Sequence, residues 1–294
     1  MRRALNYFQV FLQRSEKGQR RDFLFNKKSI SFLTVVALVI VMFAAQISEA
    51  LTQGTQAPAG KGLTAIERAA RDNKYSFLFF YRGNDARTTS MRDVFNRAMQ
   101  SAIGRGESVF VNANDPSESA VVNKFNLKDA PTPMVLAIAP NGAITGSFVT
   151  NFTAQQILGA FASPSMENLL VSLQRGKLVV LCIQNGKTRS NVDAMRGVQE
   201  FAHDQRFANF VQVLKLDPSQ PAELPFLAKL GITYPIAEAE TLLIAPPGSL
   251  IGNFKGATDK NQLIATLTKA TSGGCGAGGC GAGGCGAGGC GVQN

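Results

Sequence analysis

The sequence predicts an α/β protein made of two tandem copies of one module, each a central mixed sheet flanked by helices, after an N-terminal hydrophobic helix. Three observations predict it. Compact apolar runs such as YSFLFFY and LVVLCI alternate with stretches of helical spacing, as buried strands and their covering helices do. The pattern Ala139-Pro140-x-Gly142-x-Ile144-x-Gly146-x-Phe148 recurs as Ala245-Pro246-x-Gly248-x-Leu250-x-Gly252-x-Phe254 at an offset of 106, and Gln156-Ile157-Leu158 recurs as Gln262-Leu263-Ile264 at the same offset. Residues 30–47, ISFLTVVALVIVMFAAQI, run without a charge.

The leader comes first. Residues 1–28 carry eight basic side chains against Glu16 and Asp22, so they supply most of the formal net charge of +10; the rest has 22 basic and 18 acidic groups. The basic balance is therefore a property of the leader, which speaks against nucleic acid as a partner. Lys27 and Lys28 precede the apolar stretch and place its N-terminal side in the cytoplasm, so the body is expected outside it, in the periplasm or cell envelope. Ser48, Glu49 and Ala50 end the stretch with small residues at the two positions that a signal peptidase reads. Two fates stay open: cleavage after Ala50, or retention as an inner-membrane anchor. Residues 1–50 thus read as a basic leader with a signal or anchor helix, and residues 51–62 as a Gly/Pro/Gln linker.

In the first module, residues 63–73 have helical spacing, Tyr75–Tyr81 suits a buried strand, and residues 90–103 form an amphipathic helix. Val109 and Val111 lie on a strand. Asp115-Pro116 reads as an N-cap followed by Pro at the first helical position. Residues 134–139, Asn141-Gly142 and residues 143–148 give strand, tight turn and strand, and residues 153–161 a last helix. The second module repeats this order, with Val109, Val111, Asp115 and Pro116 matched to Val211, Val213, Asp217 and Pro218 at offset 102. The modules span residues 63–162 and 166–270, with the boundary near residues 163–166. Residues 271–294 form a disordered Gly/Cys repeat tail.

The β-α-β-α-β-β-α order resembles the thioredoxin-like fold. Thr132-Pro133-Met134-Val135-Leu136-Ala137-Ile138-Ala139-Pro140-Asn141-Gly142 resembles that family's Thr-Pro-(strand)-Pro-Asp-Gly stretch. The resemblance implies a cis bond before Pro133 and none before Ala239, which offset 106 sets in its place. Upstream, Gln19-Arg20-Arg21-Asp22-Phe23-Leu24 resembles the twin-arginine export signal, with Gln19 where Ser or Thr is usual; that route and the general secretory one lead to the same side of the membrane.

Thioredoxin-like oxidoreductases carry Cys-x-x-Cys after the first central strand, at a helix N-terminus that lowers the thiol pKa. The alignment puts Asn84 and Arg87 there, within Arg82-Gly83-Asn84-Asp85-Ala86-Arg87, and Gln184-Asn185-Gly186-Lys187-Thr188 in the second module. Neither loop holds a cysteine, so no catalytic residue is assigned. Tandem modules without their dithiol resemble the noncatalytic domains of protein disulfide isomerases, which implies a groove for a protein or peptide partner lined by Thr132, Pro133, Asn84, Asp85 and Arg87. Asn and Asp at a helix N-terminus are more often caps than ligands, and Asn84 and Asp85 carry that reading too. Cys182, inside a buried-strand pattern, reads as a small core residue, and His203 as a surface side chain.

Cys275, Cys280, Cys285 and Cys290 recur every five residues in a nearly pure glycine tail. Four sulfurs on so pliant a backbone could converge on a soft ion, Cu(I) or Zn(II), or pair as disulfides in an oxidising compartment; an inert extension is the third reading. The spacing matches none of the common zinc motifs. The expected function is therefore an exported binding or scaffold protein. A thiol-disulfide oxidoreductase that works through the tail cysteines, and an envelope metal-binding protein, are the alternatives.

Overall fold

The computed structural model describes residues 60–272. In the first repeat, the run YSFLFFY forms β1 (Tyr75–Tyr81), followed by β2 (Gly106–Asn112), β3 (Met134–Ile138) and β4 (Ile144–Val149). They make one sheet in the order β2-β1-β3-β4, with β2 parallel to β1, β3 antiparallel to β1, and β4 antiparallel to β3. A strand paired on both edges and covered on both faces has no solvent side, which is why β1 lacks polar alternation. Phe77 and Phe79 enter one core with Phe95, Val135, Phe152 and Ile157; Leu78 and Phe80 enter the other with Val111, Val121 and Leu136. Full burial of each such side chain contributes about 1.5–3 kcal/mol.

Helices α1 (Lys61–Arg71) and α3 (Ser119–Lys124) cover one face; α2 (Ala86–Ser101) and α4 (Ala154–Leu158) cover the other. α2 begins four residues before the predicted start, because Asp85 accepts the Thr88 N–H and caps it there. Asp115 caps a 3-10 turn, Pro116–Glu118, that leads into α3. Thr153 and Gln156 close a capping box on α4. Gly142, at φ +86°, makes the β3–β4 turn.

The second repeat contains α5 (Pro164–Gln174), β5 (Leu178–Ile183), α6 (Asn191–Ala202), β6 (Val211–Leu216), a 3-10 turn at Pro221–Glu223, α7 (Leu224–Lys229), β7 (Glu240–Ala245), β8 (Ser249–Lys255) and α8 (Lys260–Ser272). Its sheet has the order β6-β5-β7-β8 with the same strand senses. Leu178, Val180 and Cys182 pack with Val198, Phe201, Leu243 and Leu263. Both sheets have the topology of the thioredoxin-like fold, and the described residues are two such domains in tandem.

The registers correct the offset-102 match. Leu78 pairs with Val109 and Leu136, whereas its counterpart Leu181 pairs with Leu214 and Leu242. Val109 and Val111 therefore correspond to Leu214 and Leu216, and Pro116 to Pro221, at offset 105. Three residues of slip reverse the side-chain face along a strand, so the offset-102 match sets Val109 and Val111 against residues of the opposite face. Val111 and Leu216 are buried, while Val213 is half-exposed.

Contacts divide the chain differently from the repeat. One unit runs through Lys177 and takes in Ser219–Tyr234 and Pro246–Gly248; the other holds Leu178–Pro218, Pro235–Ala245 and the chain from Ser249. α5 belongs with the first sheet, where the Gln174 side chain accepts the Ile144 N–H at 3.0 Å and donates to the Ile144 carbonyl at 2.8 Å. Among the described residues no helix is long and apolar enough to cross a membrane. The apolar stretch 30–47, the paired arginines and the four tail cysteines lie outside the described residues.

Candidate binding site at the mouth of the first domain

The C-terminal end of β1 and the N-terminal end of β3 meet at one end of the sheet. Phe80 pairs with Met134, so the register sets Tyr81 opposite Pro133. This brings the loop of residues 82–85 and the Thr132-Pro133 pair to the same end, as the resemblance implies. The Thr132–Pro133 bond is cis, and the bond before Ala239 is not; a second cis bond, Pro246–Pro247, falls in the β7–β8 turn and was not anticipated. Pro133 is buried, and its carbonyl accepts the Thr150 N–H at 2.8 Å. The N–H and C=O of Thr132 make no backbone hydrogen bond among the described residues.

Each loop residue has an identifiable role. Asp85 is the N-cap of α2: its carboxylate accepts the Thr88 N–H at 2.7 Å. That bond, a second from the Thr88 side chain, and nearby Arg87 hold the carboxyl below its ordinary range. Asn84 accepts from Arg92 at 3.1 Å. The Arg92 guanidinium lies 5.1 Å from the centre of the Tyr81 ring and 5.3 Å from that of Phe110. Arg87 is exposed. The cap occupies Asp85 and the Arg92 bond occupies Asn84, while Arg87 is exposed.

Sequence reasoning missed Arg82. Its guanidinium donates to the carbonyls of Ala130 at 2.5 Å, Leu127 at 2.9 Å and Lys128 at 2.6 Å, tying the end of β1 to the segment that leads into Pro133. An arginine directly after a buried strand was the available signal, because an unpartnered cation there would be costly.

The second domain closes the equivalent place. Arg189 donates its N–H to Ala237 and its carbonyl accepts from Ala239, each at 3.0 Å, and its side chain pairs with Glu238 at 3.3 Å. Asn185, Thr188 and Asn191 lace the loop together: Thr188 Oγ1 lies 2.7 Å from Asn191, and Asn191 donates to the Asn185 carbonyl at 2.7 Å. The counterpart of Thr132 is Glu238, and its neighbours Ala237 and Ala239 fasten this loop to Arg189 through the backbone.

Cys182 is 2% exposed on β5, and burial pushes its thiol up to about 12. It is a core residue, with no thiolate to offer at neutral pH. His203 is exposed at the C-cap of α6, with Nδ1 2.7 Å from the Gln199 carbonyl. No cluster of three His, Cys, Asp or Glu side chains able to hold a metal occurs among the described residues.

The chain matches no family model and no curated protein. Solved structures similar to it include the first two thioredoxin domains of Saccharomyces cerevisiae Eps1p, at 12% identity over 71% of this chain and 97% of that one, with a TM-score of 0.27. The oxidised C-terminal domain of Neisseria meningitidis DsbD is 19% identical over 33% of this chain and 87% of that one, with a TM-score of 0.27. The zinc-bound form of human ERp44 is 9% identical over 70% of this chain and 57% of that one, with a TM-score of 0.30. Likenesses of this size say nothing of activity, cofactor or partner.

Proposed function

We propose that the chain is an exported binding or scaffold protein whose first domain holds an extended protein segment at the Thr132-Pro133 mouth. One observation carries the reading: the end of the sheet where the resemblance expects sulfur bears instead a capped Asp85, Asn84 engaged by Arg92, and an open Thr132 backbone. An extended segment that pairs with a free N–H and C=O gains affinity from its own main chain, with sequence preference left to the flanking side chains. The closed loop of the second domain suits an architectural role. Export rests on the basic leader and apolar stretch, which act either as a cleaved signal or as an inner-membrane anchor.

The test is hydrogen exchange at the Thr132 amide with and without unfolded peptides. Slower exchange on binding supports the reading, and unchanged exchange across a varied peptide set refutes it. The repeated tail cysteines favour one second reading, an oxidoreductase or a Cu(I) or Zn(II) carrier that works through Cys275, Cys280, Cys285 and Cys290. Insulin reduction that is strong in the full chain and lost on deleting the tail would install the oxidoreductase. Stoichiometric Cu(I) binding lost on changing the four cysteines to serine would install the carrier.

A further inference from the structure

At the N-terminal end of α5, three titratable side chains from three elements meet in the first contact unit. The Tyr75 hydroxyl, on β1, hydrogen-bonds to Glu167 on α5 and accepts the Ala162 N–H at 2.9 Å. Glu223, from the Pro221–Glu223 turn, accepts the Ser165 N–H through Oε1 at 3.0 Å. Its other oxygen, Oε2, is buried without a hydrogen-bond partner, and the residue is 5% exposed. The corresponding Glu118 accepts the Gly62 N–H at 3.0 Å in the first repeat.

We propose that Glu167 and Glu223 form an acid-closing joint: the pair takes one proton from solvent, and the repulsion that loosens α5 from β1 and from the 160–163 segment is relieved. The surroundings offer little else to neutralise two carboxylates. β4, which packs on α5, has no ionisable side chain, and the 3-10 turn has Glu223 alone. Arg105 lies 4.0 Å from the centre of the Phe161 ring, and its charge acts on Tyr75. Burial, and then the Glu223 charge against the opposing pull of the Tyr75 bond, raise the Glu167 carboxyl above its ordinary value. A raised folded-state value means that the stabilisation is complete in acid and is lost as pH rises through that value. The joint therefore tightens as pH falls, opposite to ordinary acid loosening.

The test is site-resolved hydrogen exchange on the full chain, corrected for intrinsic rates, between about pH 8 and about pH 5. Protection of the Ala162 and Ser165 amides should rise toward acid, by about twofold or more. Glu167→Gln and Glu223→Gln should each flatten that slope, whereas Tyr75→Phe should lower Ala162 protection at every pH and keep the slope at Ser165. Flat or falling protection in the native chain, or a full slope in both Gln variants, overturns the joint. If a variant does not fold, carboxyl carbon NMR of the native chain decides: a Glu167 midpoint above the ordinary value of about 4.3 supports it, and one at or below that value overturns it.

Discussion

The Glu118 carboxylate accepts the backbone N–H of Gly62 at 3.0 Å across 56 residues of chain. Glu118 is 3% exposed, so this is a buried anion neutralised by the first turn of α1, where unpaired N–H groups carry partial positive charge. The approach requires glycine beside it: a Cβ on Gly60 would lie 2.3 Å from the Ser117 carbonyl and 2.6 Å from Glu118. The second repeat rebuilds the contact with Glu223 and Ser165 at 3.0 Å. Both glutamates close a Pro-x-Glu triplet, Pro116-Ser117-Glu118 and Pro221-Ala222-Glu223.

Removing that anion should be costly. Glu118→Ala leaves the Gly62 N–H buried without an acceptor, and a loss of about 1–3 kcal/mol is expected in urea unfolding. Glu118→Gln keeps an acceptor oxygen without the charge and should lose less. Equal losses for the two would mean that the charge carries the whole effect and that a neutral acceptor of the same volume contributes nothing.

Arg82 holds the segment before Pro133 by three carbonyl contacts, each charge-assisted. Arg82→Ala should destabilise the first domain by about 2–3 kcal/mol, and amide exchange at residues 127–132 should accelerate more than in the sheet. Lysine has no planar fork, so Arg82→Lys should restore only a minor part. Uniform acceleration across the whole domain would show that Arg82 does not act locally.

Gly197 is where α6 passes the backbone before α8. A Cβ there would lie 1.9 Å from the Thr258 carbonyl oxygen and 2.7 Å from the Asp259 Cα. Backbone on both sides cannot give as a side-chain end can, so Gly197→Ala should cost about 3 kcal/mol or more despite alanine's better helix propensity. Gly186→Ala, with nothing within 4 Å of the added atom, is the control and should stay close to the native stability. A near-neutral Gly197→Ala would refute the close approach.

The strands were the most legible part of the chain. Leu178–Ile183 is apolar at every position and Tyr75–Tyr81 at every position but Ser76, apart from the hydroxyls of its end tyrosines, and both strand limits follow from those runs. The start of α2 was not, because the sequence offers both Asn84 and Asp85 as caps without fixing which one starts the helix, and Asp85 is the one that does. The offset-102 match was misled by two Asp-Pro pairs, Asp115-Pro116 and Asp217-Pro218. The sheet counts register instead: the offset between the repeats grows from 103 at β5 to 105 at β6, and those two extra residues between the strands are invisible without the strand pairing. Glu118 and Glu223 do not stand out in the sequence, since composition cannot say which glutamate is folded under a helix end. Their triplet at offset 105 was the signal. At the site, the cis bond at Pro133 followed from the resemblance, whereas the Arg82 clamp and the closed second mouth depend on loops whose hydrogen bonds have no sequence period.

Asp204 links the α6–β6 turn to α8. Arg206 grips both carboxylate oxygens at 2.9 Å, and Lys260 reaches Oδ2 at 2.6 Å. The side-chain bonds from Arg206 and then Lys260 depress its carboxyl well below the ordinary range. A depressed folded-state value means stability that is present above the unfolded value of 3.8 and lost as pH falls toward the depressed one. Urea midpoints should therefore drop for the native chain below about pH 4, and less steeply for Asp204→Asn. The same slope in both proteins would remove Asp204 from the acid response.

Cys182 lies on β5 opposite Lys215 on one side and Thr241 on the other. With its thiol at about 12, the thiolate fraction near pH 8 is about one in ten thousand, and burial blocks approach as well. Iodoacetamide should leave the Cys182 peptide unmodified in the native protein and label it fully in guanidinium, with mass spectrometry separating it from the four tail cysteines. Cys182→Ser should destabilise by about 1–3 kcal/mol through a buried hydroxyl, and Cys182→Ala by less. Ready native labelling of Cys182 would show that β5 opens locally, and would return this cysteine to the set of groups able to exchange electrons.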